Sequence, residues 1–366
     1  MIKDLIQYWA KVFQCILKNK KMFKPQQKFR DKNLIKKDIF IKLAESIKDV
    51  QLNSGAIPSN IDSSHDPWDH IEAIMGLNFL HDKKSAELGL NWLKNNQNDD
   101  GSWYAKYYDE KPIEFNKPTH FGPYISVAAL HYFKIFSDKE KLEELWNTIS
   151  SAIDFSINLQ NSNGTIPWSV DHKNNIEHDY LLTGSSSILK SIECGIKISK
   201  ILNKEINEKW MKAYEALSYT VQNPNDLFDK TTDRSRFSMD SYYPIISGVL
   251  SETQKDYYIK KVFKDFYVKG IGVKCVIEEP WITVAETAEF VIALMISNRI
   301  EDAQKILIEV MNITDSKNIP YMGWQYEENI FWPEEKPSWT AAALILAADS
   351  IFEFTAGSDL FTESQL

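Results

Sequence analysis

The stretch Gly89-Leu-Asn-Trp92-Leu-Lys-Asn-Asn-Gln97-Asn-Asp-Asp-Gly101-Ser-Trp103 decides how the rest of the chain is read. It has the order of a helix C-terminus running into a loop. The Gln can reach loop backbone, the Gly permits positive φ, and the closing aromatic can fold back on the helix end. Looser copies stand at Gln51 to Pro58 and from Phe155 to Trp168, and a vestige stands at Pro320-Tyr-Met-Gly323-Trp-Gln325. A unit that recurs in this way reports architecture rather than catalysis.

Outward from that unit, apolar periodicity marks twelve helical segments in six pairs from residue 34 onward. The pairs are 34–50 with 67–80, 83–96 with 120–136, 138–159 with 180–202, 205–222 with 240–250, 253–267 with 282–297, and 299–313 with 338–353. Within a pair the connection is long, as at 51–66, 97–119 and 160–179. Between pairs it shrinks to a tight turn, as at His81–Asp82, Ser137 and Asn203–Lys204. Six helical hairpins joined in this rhythm predict an all-α chain folded as an (α/α)6 toroid over residues 34–353, with no substantial β-sheet. Every long loop then falls at one end, where a site would be built.

The chain of 366 residues has 43% hydrophobic and 25% charged residues, the composition of a folded domain. Aromatics reach 13%, with 11 Trp, and many stand in or beside loops, which suggests a cavity lined with flat faces. A net charge of −9 argues against a nucleic-acid partner. Cys15, Cys194 and Cys275 form no CxxC or Cys/His cluster, so neither a disulfide framework nor a metal site is indicated, and no cofactor is expected. No apolar run reaches the ~18 residues of a membrane span. Asp4, Gln7 and Lys11 interrupt any signal-peptide core, and the expected location is cytoplasmic.

Residues 1–33 read as a separate N-terminal part. Leu5, Ile6, Trp9, Val12, Phe13, Ile16 and Leu17 share one stripe of an extra amphipathic helix over residues 3–19, and a basic run follows. Residues 3–37 could thus meet a membrane surface as a peripheral contact. Packing across the outside of the barrel, followed by a solvated linker, is the favoured alternative. Residues 354–366 read as a tail.

The unit at Gly89–Trp103 resembles the "QW" repeat of squalene and other terpenoid cyclases. Further segments are similar to single-domain bacterial proteins of the prenyltransferase and squalene-oxidase-repeat kind: His65-Asp-Pro-Trp-Asp-His70, Leu181 to Ile188, Met239 to Pro244, Gly270 to Cys275, Pro280 to Glu289 and Trp339 to Asp349. The resemblance covers residues 50–350 and implies the α/α toroid. Three chemistries of that superfamily lack their residues here. The Asp-x-Asp-Asp acid motif and the Asp-Asp-x-x-Asp diphosphate motif are both absent, and no Asp/Cys/His zinc spacing occurs. A lone ring of this size is also typical of six-hairpin glycosidases, whose chemistry needs two carboxyl groups and aromatic subsites.

Each long loop leads into the N-terminus of an inner helix, where unpaired N–H groups and the helix dipole favour anionic and hydroxyl-rich ligands. The residues expected there are Asp66, Trp68, Asp69, His70, His120, Asp179, Tyr180, Asp240, Tyr242, Tyr243, Trp281, Glu286 and Trp339, and Trp103 and Trp324 are further expected substrate-binding residues. Asp66 before Pro67 also makes a good N-cap, Asp179 and Asp240 could cap likewise, and His70 and His120 could be structural histidines. Glu286 differs, because it stands inside the apolar helix 282–297 where capping cannot explain it. Glu289, three residues on, shares its face. Glu286 is therefore the expected catalytic acid, with Asp240 or Asp66 as its partner.

Three readings follow. The first is a glycoside hydrolase-like enzyme acting on an oligosaccharide or small molecule. The second is a terpenoid cyclase- or prenyltransferase-like enzyme with an isoprenoid. The third is a non-catalytic glycan- or lipid-binding toroid. Polar loops with Asp, His and Asn beside Trp and Tyr favour sugars over a polyprenyl chain.

Overall fold

All six helical pairs expected from the sequence are present in the protein, whose computed structural model describes residues 9, 10, 12, 13, 25 and 27–366. The outer and inner helices of the first three pairs are α1 (Lys37–Val50) and α2 (Pro67–Phe79), α3 (Lys83–Asn95) and α4 (Ile125–Phe136), and α5 (Lys139–Ile157) and α6 (Leu182–Ile201). The last three pairs are α7 (Glu208–Gln222) and α8 (Met239–Ile246), α9 (Glu252–Asp265) and α10 (Val284–Ile296), and α11 (Ile300–Val310) and α12 (Ser338–Phe352). The even-numbered helices touch in the circular order α2, α4, α6, α8, α10, α12 and back to α2. The odd-numbered helices pack outside them. This is the (α/α)6 toroid.

The two rings differ in sequence for a physical reason. An outer helix needs one apolar stripe, and α1 buries Phe40, Leu43, Ala44 and Ile47. An inner helix is surrounded, and α12 is buried throughout from Thr340 to Ser350. Small side chains such as Ala341, Ala342 and Ala343 let it sit among four neighbouring helices. The tight turns between pairs follow from capping. Inner helices end on left-handed residues at His81, Ser137, Asn203 and Asn298. Asp82, Asp138 and Asn207 then accept first-turn N–H groups and start the next outer helices.

The repeated unit is a clamp between successive outer helices. Gln51, Gln97 and Gln160 each donate through Nε2 to the carbonyl of Gly55, Gly101 and Gly164, at 3.2, 3.0 and 3.0 Å. The same Nε2 atoms donate to Ser85, Thr148 and Ala213 on the following outer helix, at 2.9, 2.9 and 3.0 Å. The three glycines have φ of +98°, +88° and +91°, and each lies against a backbone carbonyl of that next helix. Trp103 completes the second unit by donating its indole N–H to Leu93 at 3.0 Å. The expected vestige at Pro320–Gln325 is something else: Gly323–Gln325 is a short strand paired with Trp281–Thr283, and no helix-end clamp forms there.

The long loops are stitched edge to edge into a collar around one end of the ring. His65 and Tyr107 exchange backbone hydrogen bonds between the first two loops, at 3.0 and 2.9 Å. Lys117–Pro118 pairs with Ser169–Val170 between the second and third. Asp229 N–H donates to Tyr180 at 2.8 Å, and Ser238 N–H to Cys275 at 3.0 Å. The strand pair Trp281–Thr283 with Gly323–Gln325 joins the fifth loop to the sixth. Ser338 N–H donates to Ser59 at 2.9 Å and closes the circle.

Most of the expected N-terminal helix lies outside the described residues. Within them, Val12 is buried against Ile330 with Trp9, Trp281 and Trp332 alongside. The basic stretch is anchored rather than fully solvated, since Phe29 and Asn312 hydrogen-bond through Phe29 N–H at 3.0 Å. The C-terminal tail crosses the end of the ring away from the collar. It buries Leu360 and Phe361, pairs Lys134 with Asp359, and donates Gln365 N–H to Glu193 at 2.5 Å. Among the described residues, no helix is long and apolar enough to cross a membrane.

Candidate active site

Inside the collar lies a cavity of about 420 Å³, and all six inner helices deliver their first turns or the residues just before them to its wall. From α2 come Asp66, Trp68, Asp69 and Glu72; His120 and Phe121 precede α4; Leu181 and Thr183 open α6. Arg234, Phe237, Met239 and Asp240 come from the start of α8 and the loop before it, Ala285, Glu286 and Glu289 from α10, and Trp339 from α12. The direction of the chain explains this. Long loops lead into inner helices, so their N-terminal turns face the basin.

One wall is a cluster of carboxyl groups. Asp66 caps α2 by accepting from Asp69 N–H at 2.8 Å, as Asp-Pro predicts. Asp69 and Glu72 follow at three-residue spacing, so the three carboxyls share a helical stripe that meets Glu286 and Glu289 of α10. Burial pushes the Asp66 carboxyl up to about 6, with the Asp69 and Trp68 backbone hydrogen bonds and the Lys106 charge opposing. Asp69 rises well above the carboxylate range through burial and then through repulsion from Asp66, Glu289 and Glu286. Glu72 rises likewise, by burial and then by the charges of Glu289 and Asp69. Burial lifts Glu289 to about 8, although Tyr242 and Tyr243 oppose it by donating to its two oxygens at 2.5 and 2.9 Å. These groups share protons and titrate as a set. Cys275 hydrogen-bonds Glu286, whose Oε2 is buried without a protein partner.

Across the cavity stands a second polar group. Asp240 accepts from the Thr183 hydroxyl through Oδ1, while Oδ2 is buried without a partner. Burial raises Asp240 to about 6, with the Thr183 hydrogen bond and the Arg234 charge opposing. The Arg234 guanidinium lies 5.6 Å over the Trp168 ring. His120 is held neutral, since burial and then the Arg234 charge bring it down to about 3. The apolar wall includes Trp68, stacked on Tyr124 at 4.8 Å between ring centroids.

The structure therefore gathers Glu286, Asp240, Asp66, Trp68, Asp69, His120 and Trp339 around one cavity. Eight other expected lining residues stand back from it. His70 is buried, accepting Ile57 N–H at Nδ1 (3.1 Å) and facing Gly89 O with Nε2 (3.0 Å), so it ties loop to helix. Trp103 belongs to the clamp. Asp179 neither caps α6, which begins after Leu181 without a side-chain cap, nor reaches the cavity; it accepts from Thr231 and Tyr180 N–H. The Tyr180 carbonyl serves the collar. Tyr242 and Tyr243 stand behind the wall, donating to Glu289, and Tyr243 also packs against Trp68. Trp281 donates to the Trp332 carbonyl at 2.6 Å, and Trp324 lies in the same small sheet.

Sequence reasoning missed Glu72, Thr183, Arg234 and Cys275. Glu72 was readable, since it continues the Asp66–Asp69 spacing on an inner helix. Arg234 and Thr183 carry no periodic signal.

The raised carboxyls make stability depend on pH with a definite sign. A Glu289 carboxyl near 8 in the folded chain and near its ordinary 4.5 in the unfolded chain binds its proton more tightly when folded. That contribution is full below about 4.5 and is lost as pH rises through about 8. Glu289→Gln is expected to flatten the fall of stability between those limits in urea titrations at several pH values. A slope unchanged from wild type would place the proton elsewhere in the cluster.

No family model matches the chain. It is 31% identical over 318 residues to the MMP endo-(1,4)-3-O-methyl-alpha-D-mannosidase of Mycolicibacterium hassiacum, covering 87% of each protein. Among solved structures, a glycosidase superposes with a TM-score of 0.67 at 11% identity, covering 86% of this chain and 97% of that one. A D-mannose isomerase gives 0.67 at 11% identity, with coverage of 87% and 97%. A bacterial glucoamylase complexed with acarbose gives 0.64 at 12% identity, covering 88% of this chain and 57% of that one. At such identities the structural likenesses speak for the fold, which is that of six-hairpin glycosidase-like toroids. The sequence match spans 87% of the chain, and the chain belongs to the family of the Mycolicibacterium hassiacum enzyme as a glycoside hydrolase-like α/α-toroid enzyme.

Proposed function

We propose that this enzyme hydrolyses internal α-1,4 bonds of a mannoside chain, with Asp69 and Glu286 as the opposed carboxyl groups. The observation that carries the reading is the carboxyl cluster of α2 and α10 in a cavity with aromatic walls, in a chain related to an endo-mannosidase. Burial and then the charges of Asp66, Glu289 and Glu286 push the Asp69 carboxyl well above the usual range, so it keeps a proton to give to the leaving oxygen. The sequence alone had favoured Glu286 as the donor. Glu286, with an unpartnered oxygen, serves as the base or nucleophile on the opposite side of the sugar. Asp66 tunes Asp69 by its charge.

Trp68, Phe121, Phe237 and Trp339 offer apolar faces to sugar rings and to O-methyl groups. An isoprenoid chain would leave the same carboxyls facing hydrocarbon, where they gain no hydrogen bonds. The test is incubation of the purified enzyme with α-1,4-linked mannoside chains, with and without 3-O-methylation, and mass analysis of the products. Shortened chains from internal cleavage are expected. Intact chains, or release of single terminal sugars alone, would refute the reading.

A further inference from the structure

The wall opposite the hydrolytic carboxyls holds buried polar atoms that the reaction does not use. Asp240 Oδ2, Arg234 Nε, Asp229 Oδ1 and His120 Nδ1 are all buried without a protein partner. Asp240 is only 6% exposed and yet lines the cavity. Leaving such groups unsatisfied is unfavourable, and three of them, on Asp240, Arg234 and His120, line one cavity, which points to a ligand that completes them. Three of the four are also held in place. The Thr183 hydroxyl fixes Asp240 through Oδ1, which leaves Oδ2 free. Trp168 supports the Arg234 guanidinium from one side. Asp229 lies behind, and its backbone N–H is tied to the Tyr180 carbonyl at 2.8 Å.

The chemistry of the set is complementary to adjacent sugar hydroxyls. A carboxylate oxygen accepts from one hydroxyl, and a guanidinium N–H donates to the neighbouring oxygen. A hydroxyl blocked by a methyl group could not donate to Asp240, and the methyl would meet a buried charge.

We propose that Asp240, Arg234 and Thr183 form a sugar-binding subsite, apart from the hydrolytic pair, that selects a mannose unit with two adjacent free hydroxyls. This rests on the hydrolase reading above and assigns Asp240 to binding rather than bond cleavage. The chain then accepts methylated units along its apolar walls but requires an unmethylated unit at this position.

The experiment uses the methyl glycosides of α-1,4-linked mannotetraose and of its fully 3-O-methylated counterpart. Binding is measured by calorimetry in the Glu286→Gln enzyme, and kcat and KM in the otherwise wild-type enzyme. Asp240→Asn and Arg234→Met are each expected to weaken binding of the unmethylated ligand, and raise its KM, on the order of 10- to 100-fold with kcat little changed. Binding of the methylated ligand should move less than about threefold, because its hydroxyl pair is already missing. Equal losses on both ligands, or a fall in kcat with KM unchanged, would overturn the subsite while leaving the hydrolase reading intact. A wild-type enzyme that cleaves neither ligand would instead overturn the hydrolase reading, and failure of both to bind would remove the mannoside subsite with it.

Discussion

Glu286→Gln is expected to lower kcat on the order of 10²- to 10⁴-fold without loss of folding, and Asp69→Asn to do the same. Each change keeps the side chain's shape and removes either the transferable proton or the charge that receives one. The Glu286 carboxyl has one oxygen with no protein partner, so an amide there orphans little, and Cys275 can still donate to the remaining carbonyl oxygen. Because the two groups serve one reaction, the double variant should be scarcely slower than the worse single variant. The measurement is steady-state hydrolysis of an α-1,4 mannoside chain, with circular dichroism and calorimetric binding as controls. Undiminished turnover in Glu286→Gln, or a collapsed fold, would return that residue to a structural role.

The second large effect concerns stability. Gly101→Ala should destabilise the protein by about 3 kcal/mol, the sum of left-handed strain and overpacking. A Cβ there would stand 2.2 Å from the Ser151 carbonyl oxygen of the next outer helix, at a φ of +88°. Gly270 supplies the control, because its φ is +86° but nothing lies within 4 Å of a new Cβ. Gly270→Ala should cost only the strain, about 1 kcal/mol. Urea midpoints at constant m-value report the difference. Equal losses would mean that the close approach of the clamp to α5 carries no weight.

Why the fold was legible and much of the site was not follows from the same repetition. The clamp Gln, its Gly and the left-handed turn residues act over a few positions, so the sequence displays them directly. Asp66 was legible because Asp-Pro has few uses besides capping, and Glu286 because a carboxylate in an apolar helix has few uses besides chemistry or a buried partner. The misplaced residues fail for a shared reason. Trp103, Trp281, Trp324 and His70 stand in or beside loops and were expected to face the cavity, but these loops have an interior of their own. Their rings pack within the collar or against the helix ends below it, with Trp103 donating to Leu93 and Trp281 to Trp332. Tyr242 and Tyr243 were placed at the cavity wall, and lie one layer behind it on Glu289. Arg234 comes from a stretch with neither helical nor strand periodicity, so only the fold could bring it beside Asp240.

The collar also bears on how the mouth of the cavity moves. Each loop hands part of its backbone hydrogen bonding to the loops on either side, so none can swing outward by itself without leaving donors and acceptors on two neighbours unpaired. Opening at the rim is therefore collective rather than hinged, and the smallest cooperative unit is larger than any one loop. A ligand meets an aperture of nearly fixed shape, and selection falls to what fits a preformed mouth rather than to a flap that closes over it.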